Sequence, residues 1–289
     1  MYRPKIWAIE AQALEGLRAL KPHLQIKDAE AFAKMRGAVD INELTQQTAA
    51  TAVVSIRGPL YAQVSRFESI VYGAVGSFQL AGLMKRLAVE PGIKDVILEI
   101  DSPGGDVRGM LELAAAVRTL RAAKTVTAIA HPTAASAAYW LAAQATRIVA
   151  TPSGQVGSIG VLVECTDTSA QDEARGIKRT IIADPEGKAL GRLELDEAAL
   201  AEIKGLVARW SDVLHEEIAL GRGIPVATVR ANFGNGRMLE AEDAKAAGMI
   251  DEIAEFDSLT APTGGVDTSA EAEAASAAKA LRALAQTIK

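Results

Sequence analysis

From Thr51 to Leu220, short apolar runs alternate with segments of helical period, and this rhythm constrains the fold more than any other feature of the chain. "TAVVSIRG" reads as a strand, followed by a polar loop and a helix around Phe78 to Val89. "IKDVILEI" is rich in β-branched residues and reads as a buried strand ending at Asp101. "SPGGD" reads as a turn, and "VRGMLELAAAVRTLRAA" has helical periodicity. "TVTAIA" is the next strand, followed by a short "HPTAA" loop and a helix from Ser136 to Gln144. "TRIVAT" and "GSIGVLVE" read as two more strands, "DTSAQDEARG" as a helix and "KRTIIA" as a strand. A long helix spans Leu195 to Leu220, and "GRMLEAEDAKAAGMIDEI" reads as loop, helix and strand. Strands alternating with helices imply an α/β fold with a mainly parallel sheet and right-handed crossovers. Sites in such sheets lie where strands end and helices begin. Both "SPGGD" and "AASAAYW" fall at such junctions.

Around this core the sequence suggests three regions. Residues 1–50 read as an N-terminal helical appendage ("IEAQALEGLRAL", "DAEAFAKMRG"), and 51–258 as the main domain. Residues 259–289 form a Pro/Gly/Thr linker and an alanine-rich tail. The 289 residues are 49% hydrophobic and 23% charged, enough for a proper core. A net charge of −5, with no basic block interleaved with aromatics, argues against a nucleic-acid surface. The single cysteine, Cys165, excludes an intrachain disulfide framework, and its apolar strand suggests a core position. His23, His131 and His215 lack metal-ligand spacing, so neither metal nor cofactor is expected. The opening residues lack the apolar core of a signal peptide. The apolar-leaning stretch Val126 to Ala150 contains His131, Pro132, Gln144 and Arg147 and is no membrane span. The expectation is a soluble, cytoplasmic protein.

Ser136 opens a helix, where a serine is by default an N-cap. The alternative is a nucleophile. Ala134, Ala135, Ala137 and Ala138 leave the backbone approachable, and the Ala137 amide can face a developing oxyanion. Gly104 and Gly105 can expose a second amide. A serine nucleophile needs a base, and none of the three histidines is well placed for a triad. A lysine kept neutral by desolvation also serves, and Lys188 sits in the Gly-flanked loop "IIADPEGKALG". Asp101 and Asp106, flanking the glycines, read as capping residues. Tyr139 and Trp140 suit either a substrate pocket or the core.

"DSPGGD", "AASAAYWLAAQATRIVATPSGQVGSIGV", "EGKALG" and "GRMLEAEDAKAAGMIDEI" together resemble, in order and spacing, the signal peptide peptidase family of serine proteases. The chain most resembles the phage head maturation proteases of the C-protein type. "KIWAIEAQALEGL" is similar to the N-terminal segment of those phage proteins. The resemblance implies a Clp-protease/crotonase-like fold and a Ser-Lys dyad, with Ser136 as nucleophile and Lys188 as general base. It implies that Ser158 orients the lysine, that Gly105 and Ala137 form the oxyanion hole, and that the protein is a homo-oligomer. Gly104, Ala134 and Tyr139 are candidate substrate contacts, with an extended substrate pairing near "SPGG" by strand addition. The function it implies is a serine endopeptidase that processes phage capsid scaffold or head proteins, and itself, during prohead maturation. The chain departs from cellular relatives in having Ala137-Ala138 where they usually carry Gly-Gly, and one lysine where they often show two. The membrane anchor typical of the cellular relatives is not found in the sequence, so no membrane partner is expected. A cellular signal-peptide-peptidase-like protease, a crotonase-type acyl-CoA enzyme and a non-catalytic assembly protein are the alternative readings.

Overall fold

The computed structural model describes residues 6–9, 44–48, 50–165, 169–178, 180, 182–184 and 196–260. Its central sheet grows from the apolar runs. β3 (Thr51–Arg57) pairs in parallel with β6 (Asp95–Ser102), and β6 pairs in parallel with β8 (Thr125–Ala135). β8 then serves two neighbours. Its residues Thr127–Ala130 run beside β9 (Arg147–Ala150), and Thr133–Ala135 beside β10 (Gln155–Gly157), both in parallel. Antiparallel strands close the ends: β2 (Thr45–Thr48) on β3, and β12 (Met238–Glu240) on β10. β13 (Glu252–Ile253) adds in parallel to β9. The expected mainly parallel α/β sheet is therefore present.

Helices cover this sheet because their apolar residues recur at helical spacing. α2 (Ser77–Val89) buries Leu80, Leu83, Met84 and Leu87, and α3 (Met110–Ala123) buries Met110, Leu113, Val117 and Leu120. Each such side chain contributes about 1.5–3 kcal/mol by leaving water. The short α1 (Arg66–Tyr72) starts with a capping box between Ser65 and Glu68. α4 (Ala137–Ala142) lies wholly in the core, and α5 (Ser169–Ala174) buries no residue. The long α6 (Glu197–Arg222) is capped by Asp196, whose carboxylate accepts from the Ala199 amide at 2.7 Å, and ends at left-handed Gly223. α7 (Val226–Asn232), α8 (Ala241–Ala246) and α9 (Phe256–Thr260) complete the described helices.

A second sheet has the strand order β11, β1, β7, β4, β5. These strands are β1 (Ile6–Ile9), β4 (Leu60–Tyr61), β5 (Val75–Gly76), β7 (Gly104–Asp106) and β11 (Leu162–Val163). It accounts for most of the differences from the expected elements. "SPGGD" is not a simple turn: Ser102 ends β6, and Gly104–Asp106 form β7 between β1 and β4. The close approach needs glycine, since a Cβ on Gly105 would lie 1.8 Å from the Leu60 carbonyl oxygen. "HPTAA" is not a loop but the last part of β8, shifted by a bulge between the Ile100 and Ser102 pairings. "GSIGVLVE" is broken: β10 ends at Gly157, Ser158 has φ +53°, and strand pairing resumes only at Leu162. β1 and β2 show that the first 50 residues supply strands to both sheets. The helices expected across residues 10–43 lie outside the described residues, as does the alanine-rich tail. The described residues of "KRTIIA" belong to neither helix nor strand.

Candidate active site

The end of β8 carries the site. Register pairs Ala135 with Gly157 at the ends of the two parallel strands, and Ser136 and Ser158 are the residues that follow them. The Ser136 amide donates to the Gly157 carbonyl at 2.7 Å, and the Ser158 amide to the Arg237 carbonyl at 2.9 Å. These bonds hold both serines in unusual backbone: Ser136 has φ 54° and ψ −116°, Ser158 has φ 53°. Among the described residues only Asn235 joins them as a non-glycine with positive φ. A non-glycine residue at such angles costs about 1–3 kcal/mol and persists only where its surroundings impose it.

Ser136 stands in the N-cap position of α4, yet its side chain makes no capping bond to the helix. Its hydroxyl instead donates to the Gly160 carbonyl over a long 3.4 Å, an interaction readily exchanged for another acceptor. Ala134, Ala135, Ala137 and Ala138 around it are all fully buried. α4 packs against β7, so the strand carrying Gly104 and Gly105 borders the serine junction. Gly104 has φ +91°, and its amide donates to the Ser102 hydroxyl at 3.2 Å. Gly105 is held by its approach to Leu60 rather than by its φ. Ser102, fully buried, was not singled out in the sequence; its hydroxyl orients the glycine strand.

The described histidines are engaged elsewhere. His131 Nδ1 lies 3.2 Å from Glu99 Oε1, and its ring stacks on Phe256 with centroids 4.2 Å apart. His215 Nδ1 lies 2.6 Å from the Ser211 carbonyl within α6, and burial pushes its pKa down. His23 and Lys188 both lie outside the described residues. Asp106 is 1% exposed and ion-paired with Arg108, whose amide it also accepts at 3.0 Å, so it does fasten the turn before α3. Asp101 is half-buried, and burial raises its carboxyl above the usual range. Cys165 is partly exposed rather than core.

Two polar networks are built on buried side chains, and periodicity gave no signal for either. Gln144, fully buried just past α4, donates to the Trp140 carbonyl at 3.1 Å and the Glu217 carbonyl at 3.0 Å. It accepts from Arg118 at 2.7 Å, and Arg118 also pairs with Glu217 at 2.6 Å. These bonds tie α4, the helix that follows Ser136, to α3 and α6. Tyr139 belongs to the same anchorage: its ring is fully buried, edge-on to Phe233, and its hydroxyl donates to the Met249 carbonyl at 2.8 Å. That places it in the core and not on a substrate wall. The second network centres on Glu99, 4% exposed, which accepts from Ser55 at 2.7 Å and Arg57 at 2.6 Å and meets His131. Burial alone would raise the Glu99 carboxyl, but Ser55, Arg57 and His131 outweigh it and hold it below its ordinary value.

A strained, buried serine between a strand and a helix, bordered by a glycine strand, is the arrangement to set against known proteins. The model of peptidase family S49 matches residues 118–263, half of the chain, with both serines inside it. The chain belongs to peptidase family S49. Residues of this family member are 28% identical over 185 positions to the head-tail preconnector protein GP5 of Enterobacteria phage P21, covering 63% of this chain and 36% of that protein. Protease 4 of Salmonella typhi is 29% identical over 203 positions, covering 65% and 31%. Capsid assembly protease C of Escherichia phage lambda is 24% identical over 204 positions, covering 70% and 46%. The chain thus spans 31% to 46% of the length of these curated relatives. No described helix of this S49 chain is long and apolar enough to cross a membrane.

Proposed function

We propose that the chain is a serine endopeptidase in which Ser136 is the nucleophile and Lys188 its general base. The observation that carries the reading is the backbone of Ser136, forced to φ 54° with its hydroxyl free of any capping bond. A merely structural N-cap serine takes extended angles and bonds to the helix. Engagement of His131 by Glu99 and of His215 by Ser211 favours a base other than histidine. The "EGKALG" motif supplies Lys188, and Ser158, which follows the Gly157 that pairs with Ala135, is the residue that orients it.

In the reaction, neutral Lys188 takes the Ser136 proton as Oγ attacks the peptide carbonyl. The amides of Gly105 and Ala137 receive the oxyanion, a contribution of about 10²-fold or more in rate per donor. Protonated Lys188 gives its proton to the leaving amine, then activates the water that hydrolyses the acyl-enzyme. The substrates are proteins of phage head assembly, a class suggested by the names of the lambda and P21 relatives. The enzyme works as a homo-oligomer in the host cytoplasm or inside the prohead. The wild type, Ser136→Ala and Lys188→Ala chains, compared for casein hydrolysis and by intact mass, test this. Both substitutions should lower turnover by about 10³-fold or more; equal cleavage by all three chains refutes the dyad.

A further inference from the structure

Two strands border the Ser136 junction. β7 packs on α4 and carries Gly105, while β11 begins two residues beyond Gly160, the acceptor of the Ser136 hydroxyl. A polypeptide bound by strand addition would use the edges of these strands. The edges that these two strands turn toward each other are already taken. β1 runs antiparallel between them, with Trp7 opposite both Asp106 and Leu162, and Ile6 opposite Val163. Ala8 stands opposite Gly105 and Ile9 opposite Gly104. The pairing is main chain to main chain, the contact an extended substrate of any sequence would make.

We propose that β1 occupies the polypeptide-binding track of the active site, so that the chain's own N-terminal segment competes with any other polypeptide for the place beside Ser136. The idea of a substrate track rests on the endopeptidase reading; the competition for the edges of β7 and β11 does not. A strand that fills the track in all but about one molecule in a hundred weakens the apparent affinity for a second polypeptide about 100-fold. Release of β1 is then the step that turns the site on.

The test uses the full-length Ser136→Ala chain, so that turnover does not enter. It is compared with the same chain also carrying Ala8→Pro or, separately, Trp7→Pro. Proline brings no amide hydrogen, and adjacent residues of a strand bond to opposite neighbours, so the two variants loosen β1 from different sides. The probe is a fluorescein-labelled peptide with the sequence of residues 3–14, followed by anisotropy. Either proline variant should bind it at least about 10-fold more tightly than the parent. Hydrogen exchange should show faster exchange at Gly104–Asp106 and Leu162–Val163, with β6 and β8 still protected. In the parent chain, saturating probe should speed exchange at Ile6–Ile9. Equal affinity in all three chains, absence of binding included, or exchange at Ile6–Ile9 unmoved by saturating probe, overturns the proposal. Loss of the Ser-Lys reading would show instead as missing hydrolysis in the chain that retains Ser136, with these binding results intact.

Discussion

Ser136 carries backbone strain that glycine would not feel. Ser136→Gly is expected to abolish hydrolysis while raising stability by about 1 kcal/mol, since relief of about 1–3 kcal/mol of strain exceeds the extra unfolded-state entropy of about 0.5–1 kcal/mol. Urea denaturation beside Ser136→Ala measures it; a glycine variant less stable than the alanine variant would locate the strain elsewhere. Glu99 makes a prediction with a definite sign. Its folded pKa is depressed below the ordinary 4.5, so its stabilisation is full above that value and lost as pH falls through the folded pKa. Glu99→Gln should therefore cost about 2 kcal/mol near pH 7, and the gap between variant and wild type should narrow below about pH 4.5. Denaturation midpoints across pH 3 to 8 check this. Sequence pointed to Ser136 through its small neighbours and the paired motifs. It could not show the positive φ, which arises from the clamp of Gly157 across a parallel strand pair, nor the Glu99 network, assembled from residues about 40 positions apart.

At the scale of elements, α4 has six residues and no capping bond, too little to hold its own geometry. Gln144 does that work by tying its end to α3 and α6. Gln144→Ala should destabilise the protein by about 2–3 kcal/mol, because the Trp140 and Glu217 carbonyls and the Arg118 donor lose a buried partner. Thermal denaturation reads the loss, and a change below about 0.5 kcal/mol would mean the network is not what anchors the helix. Long elements were legible: α6 was expected at Leu195 to Leu220 and runs over Glu197–Arg222. Short strands were not. β7 and the end of β8 read as turn and loop because three residues with two glycines, or a proline, present no period to detect. β1 was missed for a related reason. Its partners lie about 100 and 155 residues away, so only the folded chain reveals the pairing.

For the whole molecule, the order of four motifs carried the fold and the family, and both hold: a mainly parallel α/β sheet in a chain of peptidase family S49. The dyad remains the central claim, since Ser136 is described and Lys188 is assigned through "EGKALG" alone. The most direct measurement is mass spectrometry of the full-length chain after prolonged exposure to a small fluorophosphonate, which marks only an activated serine. The account predicts a single adduct on Ser136, lost in Lys188→Ala. No adduct at saturating reagent, an adduct on another residue, or undiminished labelling of Lys188→Ala would contradict it.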